Sequence, residues 1–565
     1  MVQTILSFIM LEINKFIFHF ALIILNQYYS FAIESDPISY FVKPIDAVCD
    51  YPFNDTTKWA VTCRIWGLLK YYHPNVTAGK FDWDQVLIDR IEKINEAETP
   101  EQVNYELMQM IQTAGEYVLS IDTTWNDSLN MNVNLCWLDY SFIDDTIKQR
   151  IREIASQGIY FPQYYFRPKS DSELPTPFEK DYAKDLISRY EFRLLSLFRY
   201  WNIIYYFYPY KYLLDQSWDK TLYKFIPEFI TAIDTLSYHT AVNKLSTQLN
   251  DGHGYTSLTP IYNPLTFSEI THIDSITVIR TPPKGSILER GDIILSIDGK
   301  SINSVRDSLI ALIPSSNRLF TDYAVNGWIY VSVFLGCNLT VMRNAEMMNI
   351  IEKRKNFPID TDSTSYHKIT SEIGFVNLDK LKNSVIPCMM DSLNNCKGVI
   401  FDLRNYPTNF KHWDIISYLS ANQEYRYALA TKVDLSHCGA FYKYGCVTKC
   451  PDSLWQERKI FTGKKVVLVN AATMSWAETL SMMFRIHGAT LIGTPTAGAN
   501  GNVVRFSLPG QITVQYSGLG FYYPDGTQTQ RTGIIPDIEV YPTMEDIMAG
   551  RDEVLEAAIT FLNSN

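Results

Sequence analysis

Lys465-Val466-Val467-Leu468-Val469-Asn470-Ala471-Ala472-Thr473-Met474-Ser475-Trp476-Ala477-Glu478 decides how the C-terminal third is read. The apolar run to Val469 suits a buried strand, and the apolar positions through Ile486 suit a helix. A strand-to-helix turn holds Ser475 above a sheet edge, beside the free N–H groups and positive dipole end of that helix. These are conditions for stabilising an oxyanion. Ser475 and Glu478 also fit a capping box, in which both merely satisfy backbone donors. At this point both readings stand.

Working outward, Gly374 to Leu378 and Gly398 to Leu403 are similar apolar runs alternating with helical stretches, and Asp552 to Leu562 reads as a closing amphipathic helix. An α/β domain over 366–565 follows. Upstream, short β-rich runs from Ile276 to Ile297 are broken by Pro282, Pro283 and Gly285. Gly291 to Lys300 reads as a strand ending in an Asp298-Gly299 turn, and Ser304 to Ile313 as a helix. This order resembles a PDZ domain over 265–350, a module that binds extended peptides or chain ends by adding a strand to its sheet. Its carboxylate loop is a poor match, so a purely structural β-domain fits as well.

The N-terminal half contains a repeat. Arg64-Ile65-Trp66, Tyr71-Tyr72-His73-Pro74 and Trp83-Asp84 recur as Arg199-Tyr200-Trp201, Tyr206-Phe207-Tyr208-Pro209 and Trp218-Asp219, always at an offset of 135. Each copy predicts a helix stopped by proline and a second helix opening at Trp-Asp. The aromatic stripes read as buried packing surface. The copies span 33–120 and 181–258. Between them, 121–180 holds a strand-like stretch from Met131 to Leu138 and a linker from Pro168 to Pro177. Copy two ends in Leu249-Asn250-Asp251-Gly252-His253-Gly254, copy one in Thr113-Ala114-Gly115-Glu116 without a histidine.

The chain has 565 residues, 46% hydrophobic and 20% charged, enough for several packed domains. A net charge of -11 supplies no positive field for phosphates, so nucleic acid is disfavoured as a partner. The apolar run Phe16 to Leu25 is too short to span a bilayer. With Lys15 before it and small residues at Ser30 and Ala32 after it, residues 1–32 are expected to be a signal peptide. The protein is then periplasmic or extracellular. A buried or membrane-anchoring N-terminal helix is the other outcome. One bridge among Cys438, Cys446 and Cys450 is expected in an exported protein. Zinc fits less well, as only His437 lies nearby and no CxxC pair occurs.

Six segments in order resemble the tail-specific, or C-terminal processing, serine peptidases across most of 180–565. They are Asn250-Asp251-Gly252-His253, Gly291-Asp292-Ile293-Ile294, Phe401-Asp402-Leu403-Arg404-Asn405, Ser475-Trp476-Ala477-Glu478, Ile492 to Gly498, and Gly533-Ile534-Ile535-Pro536-Asp537-Ile538. The resemblance implies an α/β catalytic domain of the ClpP/crotonase-like type, a protein or peptide substrate, no cofactor, and Ser475 as nucleophile. Many relatives place a lysine base where this chain has Asn500, which cannot take a proton. The tricorn-type branch uses a histidine in a segment that His253 matches, so the resemblance implies His253 as base. His253 also reads as a turn histidine between two glycines. An acid that orients the histidine in that branch corresponds to Gln530, whose amide can hold the tautomer without supplying charge. Asp251, Glu478 or Asp525 are the other candidates for that task. The oxyanion donors implied are the N–H groups of Asn405 and Trp476.

The expected molecule is thus an α+β multidomain serine endopeptidase with a Ser-His acyl-enzyme mechanism, acting on protein or peptide C-terminal regions. The alternative is a catalytically silent binding protein on the same scaffold. A glycosidase would need paired carboxylates around a sugar groove, and no segment singles out such a pair.

Overall fold

A computed structural model describes residues 51–117, 130–131, 133–156, 163–168, 174–257, 270–282, 284–353 and 364–564. The expected signal peptide lies outside these residues. Each repeat copy forms three long helices: Asp55–Tyr72, Trp83–Glu96 and Pro100–Thr113 in the first, and Tyr190–Phe207, Trp218–Thr231 and Thr235–Thr247 in the second. The indole N–H groups of Trp66 and Trp83 each donate to the other's carbonyl at 3.0 Å, and Trp201 and Trp218 repeat the pair at 2.9 Å. Tryptophan serves here because its ring fills the helix interface while its one donor finds a partner.

The copies then exchange charges. Arg64 of unit one meets Asp219 of unit two at 2.6 Å, and Arg199 of unit two binds Asp84 of unit one. Equivalent residues pair reciprocally, so the units face each other across a pseudo-twofold axis. At the crossing, Gly67 faces its own counterpart Asn202: a Cβ on Gly67 would lie 1.8 Å from Asn202 Oδ1. Only one unit has room for a side chain there. The Asn202 amide donates to the carbonyls of Cys63 and Phe198, at 3.0 and 2.9 Å.

The segment between the copies departs from expectation. The predicted strand Met131 to Leu138 is a two-residue strand, Asn130–Met131, and a 3-10 turn, Cys136–Asp139, because Asn134 Oδ1 accepts the Cys136 N–H and turns the chain. The predicted linker lies partly outside the described residues. Its flanks Phe166–Arg167 and Thr176–Pro177 pair antiparallel.

Residues 270–351 form a separate antiparallel sheet with its own core, edged by Ile270–Ile273 and Glu346–Ile351, with helices Ile302–Ile310 and Arg318–Leu335. Asp298 and Gly299, both at positive φ, make the expected Asp-Gly turn. The C-terminal domain centres on parallel strands Ile373–Asn377, Gly398–Asp402, Lys464–Val469, Ala489–Gly493 and Ile538–Glu539, with Tyr366–Lys368 antiparallel at one edge. The helix Glu553–Asn563 packs below them, capped by Asp552. Cys438, Cys446 and Cys450 are buried thiols rather than partners in a bridge. Cys438 belongs to the helical core and Cys446 to that of the α/β domain, which keeps them apart.

Candidate active site

Ser475 occupies the N-cap position of the helix Trp476–Ile486, with φ 56° and ψ -118°. A positive φ on a serine costs about 1–3 kcal/mol and lifts its hydroxyl out of both strand and helix. The surrounding loop holds it there. The Ser475 N–H donates to the Ala499 carbonyl (2.9 Å) and to Glu478 Oε2 (3.0 Å). Glu478, fully buried, also accepts from Thr496 Oγ1 at 2.5 Å and from the N–H groups of Gly498 and Ala499 at 2.8 and 3.1 Å. Burial pushes its carboxyl up to about 7 against the pull of these four donors. Glu478 therefore does more than cap a helix: it staples the 496–499 loop to the serine turn.

The second arm comes from helical unit two. After Thr247 the chain turns through Asn250, at φ 50°, and enters strand Tyr255–Thr256, which pairs with Ile512–Ser517. That pairing sets His253 Nδ1 2.9 Å from Ser517 Oγ. Ser517 Oγ in turn donates to Asp251 Oδ1 at 2.9 Å, and its N–H to Oδ2 at 2.7 Å. The His253 N–H and the Gln530 amide complete the shell of Asp251, each 3.0 Å from Oδ1. Because the Ser517 hydroxyl proton points to Asp251, its lone pair faces the ring, which carries its proton on Nδ1 and keeps Nε2 as acceptor. Burial pushes the ring below the ordinary histidine value; Asp251 pulls it up and Arg505 down.

The arms meet at Ala499. A Cβ on Gly252 would stand 3.0 Å from Ala499 Cβ and 2.8 Å from Ser316 Oγ, so any side chain here would crowd both neighbours. Asn317, capping helix Arg318–Leu335, donates to the carbonyls of Thr496 and Ala497 at 2.9 and 3.0 Å. The antiparallel-sheet module thus buttresses the same loop. No hydrogen bond joins Ser475 to His253 among the described residues. Instead the Tyr406 phenol pairs with the Ser475 side chain and accepts from the Trp476 N–H, and burial holds that phenol well above its usual value.

This geometry corrects one sequence expectation and locates two further residues. Gln530 does not hold the imidazole; Ser517 occupies Nδ1, and the glutamine amide serves Asp251 one step back. Asn500 is buried beneath the serine helix, accepting from Thr479 Oγ1 at 3.0 Å and the Gly501 N–H at 2.8 Å. Asn405 lies exposed in the turn after strand Gly398–Asp402, where Arg404 is pinned to Asp402 and Asp552, at 2.8 Å each. The Thr473 hydroxyl ties this turn to the serine turn through the Leu403 carbonyl, at 3.0 Å.

The strained serine turn and the arm carrying the buried histidine thus pack against the same loop, at Ala499. Residues 372–540 match the family model described as peptidase family S41. The chain carries an S41 peptidase domain. That match marks residues 372–540 as a domain of serine-peptidase type. Among solved structures, mature CPAF complexed with lactacystin is similar at 14% identity, covering 67% of this chain and 100% of that one, with a TM-score of 0.51. Mature CPAF alone gives 12%, 67%, 97% and 0.50. The photosystem II D1 C-terminal processing protease gives 15%, 64%, 98% and 0.37. At such identities the CPAF likeness shows a shared fold. No curated protein sequence matches the chain.

Two residues of the candidate site carry no clear signal in the sequence. Ser517 has no local signal, since only the pairing of strands some 260 residues apart brings it to His253. Tyr406 directly follows Asn405, and its place next to an expected oxyanion turn was the available hint.

Proposed function

We propose that this chain is an exported serine endopeptidase that cleaves peptide bonds in the C-terminal regions of proteins or peptides through a Ser475 acyl-enzyme. Ser475 Oγ attacks the scissile carbonyl while its proton passes to His253 Nε2. The tetrahedral oxyanion is held by the N–H of Trp476, with Asn405 as second donor. His253 then protonates the leaving amine, and a water deprotonated by the same nitrogen releases the acyl group. The observation that carries this reading is the strained Ser475 turn, which raises the hydroxyl and aims the first N–H of the following helix at the same spot. Support for the base comes from the Ser517 contact, which leaves Nε2 unprotonated. The missing Ser-His hydrogen bond agrees with a site that tightens when substrate binds.

The module at 270–351 serves, in this proposal, as a PDZ-like peptide receptor that pairs a chain end with an edge strand, Ile270–Ile273 or Glu346–Ile351. Export rests on the apolar run Phe16 to Leu25 and the small residues at 30 and 32, and N-terminal sequencing of secreted material tests it: a mature chain starting near Ile33 is expected. A second reading, a silent peptide-binding protein, is favoured by one observation, the Tyr406 phenol lying across Ser475 and Trp476. Reaction with a fluorophosphonate separates them, since only the peptidase forms an adduct on Ser475.

A further inference from the structure

The geometry points to Ser517 as a positioning residue that carries the influence of Asp251 to the His253 ring, in place of a carboxyl group touching the imidazole directly. This inference rests on the Ser475–His253 reading of the site. We infer a chain Asp251–Ser517–His253 assembled from two parts of the sequence, the exit of helical unit two and the end of strand Ile512–Ser517.

Three features set its direction. Ser517 spends both backbone and side-chain donors on Asp251, at 2.7 and 2.9 Å, so its remaining lone pair is the only feature it can offer Nδ1, 2.9 Å away. Asp251 is fixed in turn by the His253 N–H and the Gln530 amide. Asp251 and Ser517 are both inaccessible to solvent, which makes the bonds between them strong and their loss costly. When Ser475 gives its proton to Nε2, positive charge develops on a ring whose Nδ1–H already points at Ser517. The hydroxyl dipole, oriented by Asp251, stabilises that charge with no proton leaving Nδ1. Gln530 sits at the position of the resembled family's acid yet meets Asp251 rather than the ring. The Gln530 amide oxygen is buried without a hydrogen-bond partner among the described residues, so what this side chain supplies is its N–H to Asp251.

The test compares Ser517→Ala, Ser517→Cys and Ser517→Thr in the full chain. It follows the second-order rate of fluorophosphonate labelling against pH, with thermal melts alongside. The relay predicts that Ala and Cys, which lack a good acceptor, lose on the order of 10–100-fold in rate and move the acid limb to lower pH. Thr keeps the acceptor and should remain within a few-fold of the parent with its limb in place. A packing role predicts the reverse order: Cys is nearly isosteric and harmless, while Thr forces a methyl group into a closed site. That reverse order, or an unchanged limb in Ala and Cys variants that melt like the parent, overturns the inference. Ser475→Ala is the control that isolates the underlying reading. If labelling survives Ser475→Ala, the site assignment has failed; if labelling is abolished there but indifferent to Ser517, only the relay has.

Discussion

The two helical units share one packing plan and differ in what leaves their last helix. The offset of 135 continues past the helices: Ala114, Gly115 and Glu116 correspond to Leu249, Asn250 and Asp251. Gly115 and Asn250 both adopt positive φ, 78° and 50°, ending the helix with the same left-handed turn. The carbonyl before each is held by a side chain, Asn75 to Ala114 and Tyr208 to Leu249, both at 3.1 Å. From there the units diverge. Glu116 is solvent-exposed and pairs with Arg150 at 3.1 Å, whereas Asp251 is wholly buried under Ser517, Gln530 and His253. The same turn ends one unit in a surface ion pair and the other in the proposed active-site arm. On the proposed reading, the shared scaffold carries chemistry at one exit alone.

Matched substitutions break or uphold this contrast. Asp251→Asn should lower the labelling rate at Ser475 by about 100-fold or more, as the tautomer and charge support of the base are lost. Glu116→Gln, its equivalent, should leave rate and melting unchanged to within about 0.5 kcal/mol. Equal effects at both positions would erase the distinction.

The shared packing plan is tested next. Gly67→Ala drives a methyl group into Asn202, whose amide is tied to two carbonyls, and should cost about 1–3 kcal/mol of stability by thermal or denaturant melting. Adding Asn202→Gly should recover much of the loss by opening the crossing from the other side. A tolerated Gly67→Ala would mean that the units do not meet as closely as described.

Much of this was legible in sequence because it is local. The serine turn announces itself by strand, small residues and Ser-x-x-Glu within one segment, and the repeat by its aromatic landmarks. What the repeat did not disclose is that Arg64 and Arg199 reach across to Asp219 and Asp84, since a linear pattern cannot distinguish pairing within copies from pairing between them. Ser517 was invisible for a related reason. Strand Ile512–Ser517 meets Tyr255–Thr256 by backbone hydrogen bonds, which carry no side-chain signature. Gln530 was assigned to the ring by correspondence alone, and a serine nearer to Nδ1 displaced it.

A smaller effect is expected at the serine itself. Tyr406→Phe removes the oxygen that occupies the Ser475 hydroxyl and the Trp476 N–H, and should raise the labelling rate roughly three- to tenfold, about 1 kcal/mol in the barrier. A fall in rate would assign that phenol to stabilising the reaction.

The smallest effect concerns pH. Burial depresses His253, so the neutral, proton-accepting ring persists to lower pH than a free histidine, and the acid limb of labelling should lie below the usual value of ~6.5. Activity is then level through neutrality and lost as pH falls through the ring's own pKa. His73 of unit one is likewise held down by burial, to about 4, yet lies outside the site. His73→Gln should therefore leave the limb untouched.

The central claim, that Ser475 is a nucleophile and not a capping residue, is tested most directly by treating the full chain with a fluorophosphonate and locating the adduct by mass spectrometry, beside Ser475→Ala. The account predicts one adduct on Ser475, absent in the variant, with the variant melting near the parent. Failure of the parent chain to form an adduct, or labelling unchanged in Ser475→Ala while stability drops by the ~1 kcal/mol of a lost cap, would contradict it.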